Sequence, residues 1–381
     1  MNKNTKVIKN GNIVLEDGII WDGTILIENG KIKEVGKNIE IPTDAQIIDA
    51  CGAYVGPGFF DIHVHGGNGL STCCETKKAA DYFLDHGTTS FLATPDYHMN
   101  KDTLIEVINN IKKAKEDCPT LKGIYMEGPY TNPDYGSHSD TNPWRNGVRE
   151  EDYIPIVDSA GEDVKVWTVS PERPDLKPFL KYARKVNPEV VFAIGHSDAT
   201  PTEVKALGIY QPRIETHAMD ATPHKNSRKG LRGYGIDEYA LKNSEVYCEL
   251  ISDSLGIHVH PEMQQLLLHN KGIEKIILIT DSTTHSNPVP EKFAHVKDLN
   301  FDPNGGIAGS KMTMDQACKN IMSSTNCGIA QAFYMASTAP SKALYMDDEI
   351  GSIEIGKKAD IVFVDDKFNV QKVMLSGEIV R

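Results

Sequence analysis

Between residues 54 and 281 the chain alternates eight short apolar runs with segments whose apolar residues recur at helical spacing. No other feature of the sequence narrows the fold as far. The runs are Tyr54 to His65, Thr89 to Asp96, Leu121 to Glu127, Val164 to Glu172, Val190 to His196, Arg213 to His217, Glu245 to Asp253 and Ile276 to Asp281. The intervening stretches "TKKAADYFLDH", "KDTLIEVINNIKKAKED" and "PEMQQLLLHNK" carry the helical pattern. Such alternation marks repeated strand-helix units around a parallel sheet. Eight units predict an α/β fold, a (β/α)8 TIM-like barrel over residues 56–345.

The flanks read differently. Residues 1–55 are short strands and turns, as in "TILIENGKIKEV", where Asn29-Gly30 sits between alternating runs as a hairpin turn would. "GSIEIGKKADIVFVDD" and "VQKVMLSGEIV" close the chain in the same style. The two ends, 1–55 and 346–381, are expected to form one small β-sandwich domain.

Lys and Arg total 40 against 53 Asp and Glu, a formal charge of -13, which argues against nucleic acid or an anionic membrane as the main partner. "MNKNTKVIKN" lacks the apolar stretch of a signal peptide, and no segment approaches the roughly 20 apolar residues of a membrane span. A soluble, cytoplasmic protein is expected. The seven cysteines contain no CxxC pair, so neither a disulfide framework nor a zinc ribbon is indicated, and buried free thiols are expected.

In a barrel of this kind the active site lies at the C-terminal ends of the strands. Strand 1 ends in His63 and His65, strand 3 in Glu127, strand 5 in His196, strand 6 in His217 and strand 8 in Asp281. Side chains alternate along a strand, so His63 and His65 point the same way, and all six groups could converge on the barrel mouth. Imidazoles and carboxylates in that number suit zinc, iron, manganese or a similar ion. One HxH among thirteen histidines can arise by chance; six groups falling one by one on strand ends are much harder to dismiss. His86, His98, His224, His269, His285 and His295 lie in helical or loop contexts and are assigned no role.

"PGFFDIHVHGG", "GIYMEGPY", "GHSDA", "THAMDAT", "IHVHP", "ITDST" and "GSIEIGKKADIVFVD" run in order over nearly the whole chain. Together they resemble the amidohydrolase superfamily, and within it the N-acetylglucosamine-6-phosphate deacetylase family. Many superfamily members bridge two metals through a carbamylated lysine on strand 4. Here strand 4 reads "VKVWTVSPE", and its only lysine, Lys165, lies at the wrong end, which leaves Glu127 as the better bridging ligand.

The resemblance implies that Glu127, His196 and His217 hold the main metal, with His63 and His65 available for a second. One or two divalent ions, zinc or iron, follow from it. Metal-bound water supplies hydroxide near neutral pH. Asp281 would take a proton from that water and return it to the departing amine. Its other reading, a helix N-cap in "TDST", is compatible with that role. His258 matches the family histidine at the acetyl carbonyl, with His260 its near rival, and His138 matches a sugar-contacting histidine.

Where the family carries asparagine and a small residue for the phosphate, this chain has Asp220 and Ala221. A carboxylate there repels phosphate unless offset. The loop "PHKNSRKGLRG" gathers Lys225, Arg228, Lys229 and Arg232, and Arg228 stands where the family arginine reaches into the neighbouring site of a homodimer. The expected activity is therefore deacetylation of an N-acetylated amino-sugar phosphate, giving the amine and acetate. The alternatives are the same chemistry on another ligand (another hexosamine phosphate, an unphosphorylated N-acetyl sugar or an N-acyl amino acid) and an inactive binding protein that kept the fold. The tail "GIAGSKMTMDQACKNIM" and "GIAQAFYMASTAPSKALYM" reads as helices that carry no chemistry.

Overall fold

The structure, a computed structural model, describes residues 5–136, 142–223 and 233–381. Strands β1 (Thr5–Val14), β2 (Ile19–Glu28), β3 (Lys31–Gly36) and β4 (Gln46–Asp49) open the chain around an isoleucine-rich core that includes Ile8, Ile13, Ile25 and Ile27. The β2–β3 hairpin turns at Asn29 and Gly30, with φ of 53° and 75°, the pair of positive angles that a type I′ turn needs. The first half of β1 pairs with β4 and its second half with β5 (Tyr54–Pro57).

The first apolar run is two strands rather than one. After β5 the chain passes Gly58 and enters β6 (Phe59–Val64), which belongs to a different sheet. Gly58 is required there, because a Cβ would lie 2.1 Å from Thr89 Oγ1.

A short hairpin, β7 (Gly66–Gly67) and β8 (Leu70–Ser71), follows. The barrel then continues through α1 (Thr76–Asp85), β9 (Thr88–Ala93), α2 (Lys101–Lys115), β10 (Leu121–Met126) and α3 (Glu150–Ala160). Next come β11 (Val164–Val169), α4 (Leu176–Val186), β12 (Val191–Ile194), α5 (Pro201–Ala206), β13 (Ile214–Glu215) and α6 (Ile236–Lys242). The circuit finishes with β14 (Tyr247–Ile251), α7 (Pro261–Lys271) and β15 (Ile276–Ile279). Each barrel strand pairs in parallel with the next one in the chain, from β6 to β15.

Closure between β6 and β15 uses both backbone and side chain. Asp281 N–H donates to His63 O at 3.0 Å and His65 N–H to Ser282 O at 2.9 Å. Within the barrel the Asp61 carboxylate accepts the Thr280 hydroxyl at 2.6 Å and the His63 N–H at 3.3 Å. The interior is layered. Phe60, Ile62, Leu92, Val166, Ile214 and Ile277 belong to an apolar plug. Tyr125, Thr168 and Thr216 form a closed triangle of hydroxyl hydrogen bonds of 2.8–3.1 Å.

The tail departs from an all-helical reading. β16 (Leu299–Phe301) and β17 (Ile307–Ser310) form a hairpin before α8 (Met314–Thr325), so "IAGS" is extended rather than helical. The helical stretch 329–343 runs through a π-turn at Tyr334–Thr338, and Ala339 and Ala343 share the core of the barrel plug. β18 (Ile361–Val364), β19 (Val370–Leu375) and β20 (Glu378–Ile379) then rejoin the first sheet, β18 pairing with β5. The terminal segments thus make one branched sheet. β5 extends to Pro57, beyond residue 55, and Ile350 still belongs to the barrel core whereas Ile353 and Ala359 belong to the small one. Five cysteines are buried free thiols, but Cys51 and Cys74 are exposed. No helix among the described residues is long and apolar enough to cross a membrane.

Asp61 generates a prediction. Asp61→Ala strands the buried Thr280 hydroxyl and should cost about 2 kcal/mol, lowering the urea midpoint, whereas Asp61→Asn, whose Oδ1 can still accept the His63 N–H while its amide NH2 donates to the Thr280 hydroxyl oxygen, should recover most of it.

Candidate active site

The strand ends deliver the polar groups to one place. His63 is the penultimate residue of β6 and His65 lies just beyond it, Glu127 follows β10, and His196, His217 and Asp281 each stand two residues beyond β12, β13 and β15. All six side chains are buried or nearly so. His196, His217 and Asp281 have φ of 45°, 31° and 44°, in the left-handed region that non-glycine residues rarely occupy. Such strain, on the order of 1–3 kcal/mol per residue, persists where the surroundings over-determine it and concentrates at functional sites.

Glu127 stands at the centre. Its Oε1 lies 2.8 Å from His196 Nε2 and 3.1 Å from His217 Nε2, and those two nitrogens are 3.0 Å apart. Its Oε2 lies 3.1 Å from His65 Nε2 and 3.6 Å from His63 Nε2. A tetrahedral ion with bonds of about 2.0–2.1 Å would space its ligand atoms about 3.3 Å apart. Two imidazole nitrogens at 3.0 Å also need a proton or a cation between them. His63 Nε2 is buried with no hydrogen-bond partner among the described residues. The residues therefore fit a divalent metal, in two groups of three that share Glu127.

Second contacts set the tautomers. His63 Nδ1–H donates to Glu249 Oε2 at 3.0 Å and His217 Nδ1–H to the Asp220 carbonyl at 3.2 Å, turning both Nε2 lone pairs toward Glu127. His65 Nδ1 lies 3.4 Å from Asp96 Oδ1.

In the metal-free chain protons take the place of a cation. Burial by itself would lower the His63 imidazole, but Glu127 and Glu249 outweigh it and raise its pKa to about 10. His217 rises to about 9 against its burial, chiefly through Glu127. Glu127 is desolvated, yet His63, His196 and His217 hold it well below the carboxylate range.

Asp281 Oδ1 stands 3.4 Å from His65 Nε2 and 3.7 Å from His63 Nε2. Burial would raise its pKa, but those imidazoles lower it and keep the carboxylate ionised. His258 lines the same cavity with a buried Nε2 that has no hydrogen-bond partner among the described residues. Its backbone N–H donates to Asp253 Oδ2 at 2.8 Å and its Nδ1 lies 3.1 Å from the same oxygen. His260 is exposed, and its Nδ1 accepts the Glu262 N–H at the start of α7. The loop register thus places His258, and not His260, against the cavity.

The cavity, about 270 Å³, is lined by Asp96, Glu127, Asp220, Asp281 and Asp302 among its acids, with Ala221 beside Asp220. No lysine or arginine among the described residues lines it. A larger depression of about 690 Å³ lies at the opposite end of the strands, beside Val190, Arg213 and Glu245, away from these groups. His138 and Arg228, with Lys225, Lys229 and Arg232, lie outside the described residues.

Several contributors escaped the sequence reading. His98 and His285 line the cavity. Both sit on loops after barrel strands, the one signal that could have flagged them. Glu249 is mid-strand and Asp253 was seen only as the end of a run. Gly306 to Gly309, read as part of a helix, form a cavity wall, and Gly309, at φ 67°, lets the chain pass Asp281, whose carbonyl a Cβ would meet at 2.3 Å. Lys165 is remote, its Nζ donating to Glu162 O at 3.0 Å.

The sequence profile of the amidohydrolase family matches residues 54–380. An eight-stranded barrel whose strand ends gather four histidines and two carboxylates is the architecture of a metal-dependent hydrolase, and the chain belongs to the amidohydrolase family. It is 28% identical to the N-acetylglucosamine-6-phosphate deacetylase of Bacillus subtilis, the alignment covering 98% of this chain and 96% of that one. It is 25% identical to the N-acetylgalactosamine-6-phosphate deacetylase of Escherichia coli O157:H7, over 98% and 99%. The crystal structure of the N-acetylglucosamine-6-phosphate deacetylase from Thermotoga maritima superposes with a TM-score of 0.82 at 26% identity, over 98% and 99%.

Protons and metal compete for the same nitrogens. Zinc affinity should fall by about tenfold per displaced proton for each unit of pH lost, and titration calorimetry in buffers of different ionisation enthalpy should show proton release. Because the folded pKa of His63 lies above its unfolded 6.5, its contribution to the stability of the stripped protein is complete below pH 6.5 and is lost as pH rises toward 10. Melting curves from pH 6 to 9 should slope downward without zinc and lose that slope with it.

Proposed function

We propose that this chain is a metal-dependent deacetylase of an N-acetylated amino-sugar 6-phosphate, with N-acetylglucosamine 6-phosphate as the first substrate to test, releasing acetate and the free amine. The observation that carries the reading is the Glu127 carboxylate, whose two oxygens each face a pair of imidazoles beside Asp281. Glu127, His196 and His217 would hold one ion and His63, His65 and Glu127 a second, with zinc or iron suited to these ligands.

A divalent ion held by these residues would lower the pKa of a bound water toward about 7 and would polarise the acetyl carbonyl. Asp281, ionised and facing the ligand cluster, accepts the proton of the attacking water. The water oxygen adds to the carbonyl carbon, and the His258 Nε2–H donates to the carbonyl oxygen as negative charge develops there. That role needs a proton on both ring nitrogens. Burial opposes this, but Asp253, Asp220 and Asp281 raise the imidazole pKa. Asp281 then delivers its proton to the sugar nitrogen, the C–N bond breaks, and acetate and amine leave.

Substrate identity rests on the loops. Relatives named for glucosamine and for galactosamine phosphates both align over nearly the whole chain. With Asp220 in the cavity and no Lys or Arg among the described lining residues, the phosphate depends on the basic loop around Arg228, contributed across a homodimer. An unphosphorylated sugar is the reading that Asp220 favours. A cytoplasmic location suits an enzyme acting on a sugar phosphate.

Acetate release from N-acetylglucosamine 6-phosphate, N-acetylgalactosamine 6-phosphate and N-acetylglucosamine, on the metal-loaded protein, separates these readings. The proposal expects the phosphate ester to be preferred by on the order of 100-fold in kcat/KM, the worth of about 3 kcal/mol of charged hydrogen bonds. Activity on the free sugar alone would overturn the phosphate reading. Asp281→Asn should retain its metal by elemental analysis while turnover falls by about 10²–10⁴-fold, and near-normal turnover would remove Asp281 from the proton path.

A further inference from the structure

Glu249 lies in the middle of β14 with its side chain fully buried. Its Oε2 accepts two hydrogen bonds of different origin. One comes from His63 Nδ1–H at 3.0 Å, the other from the backbone N–H of His217 at 3.3 Å. The Glu249 carbonyl also accepts the Ala218 N–H at 2.8 Å. One oxygen is therefore tied to a ligand from each of the two metal groups. His63 is fixed from a second direction by the Tyr125 ring, stacked at 4.4 Å between centroids.

The backing of the four imidazoles is uneven. His63 Nδ1–H has a carboxylate hydrogen bond, to Glu249, whereas His65 Nδ1 lies 3.4 Å from Asp96 Oδ1 without forming one. His217 is backed by a neutral carbonyl, and His196 Nδ1 is buried without a hydrogen-bond partner among the described residues. A carboxylate behind an imidazole locks its tautomer and makes the far nitrogen a better donor. The carboxylate hydrogen bond thus falls behind His63, a ligand of the second group of three.

We propose that Glu249 is a positioning residue that makes His63 and His65 a functional second metal subsite and couples its filling to that of the Glu127, His196 and His217 subsite. The inference rests on the divalent-metal reading of the site and adds the residue that secures the second ion. Glu249 does not reach the ion or the substrate. It acts through the His63 ring and the His217 backbone.

The test is metal binding itself. Stripped wild-type protein and Glu249→Gln are titrated with Zn²⁺ by calorimetry, and with Co²⁺ by visible absorption, with elemental analysis after gel filtration. Wild type should take two ions per chain. Glu249→Gln should keep one and bind the second about 10–100-fold more weakly, losing the absorption change of the second cobalt equivalent. Glu249→Asp, which keeps the charge but is too short to reach His63, is titrated in parallel and should also lose the second ion, so the test survives if the glutamine variant does not fold. A residue that merely supported the fold would lower the melting temperature while both ions still bound with wild-type affinity, and that result overturns the proposal. A wild-type chain that takes only one ion overturns it as well. A wild-type chain that takes none overturns the metal reading itself, which keeps the two failures apart.

Discussion

The structure depends on a buried carboxylate that cannot stand alone. Glu127 is almost wholly out of water, and each of its oxygens is met by imidazole nitrogens within 2.8–3.6 Å. Desolvating such a group is costly unless positive charge surrounds it. The features around it serve that need. Apolar side chains plug the barrel beneath it, and a hydroxyl triangle of Tyr125, Thr168 and Thr216 separates plug from site. The backbone twists into left-handed conformations at His196, His217 and Asp281 to aim three side chains at the mouth. The strain is held by the ladder bonds and by the Asp61–Thr280 contact across the closing strands.

Much of this was legible before any coordinates. In a closed parallel barrel the residues at the strand ends have one place to go, so six polar groups at five strand ends could be assigned to one site from order alone. Other parts carried no such mark. Glu249 lies within a strand, and only the three-dimensional register shows that its side chain meets His63 from two strands away. The break between β5 and β6 falls inside a run that is apolar throughout, because both strands are buried and only the Thr89 contact at Gly58 records the change of sheet. The strand Ile307–Ser310 was mistaken for helix, since its residues fit helical spacing and its pairing with Leu299–Phe301 is tertiary information.

Chemistry and recognition are separated in this architecture. The candidate metal ligands sit at strand ends, where the ladder fixes them, whereas much of the cavity wall comes from loops and a hairpin: Asp220 and Ala221, His285, and the β16–β17 hairpin. Such an arrangement lets loop residues change without disturbing the metal ligands. Asp220 belongs to both, since its carbonyl accepts from His217 while the residue lines the cavity. That hydrogen bond comes from the backbone and does not depend on which side chain stands at 220.

The small sheet has a consequence for the order of events during synthesis. β5 runs through Gly58 directly into the strand that bears His63, yet its ladder partner β18 lies near the other end of the chain, Pro57 opposite Ile361. While a ribosome is still making the barrel, that edge of β5 has nothing to pair with, and the long loop between the partners has yet to close. The barrel is thus an insertion within the sheet that frames it. The last strands to emerge act as a clasp, anchoring the entry to the first metal-bearing strand only once every other ligand has been translated.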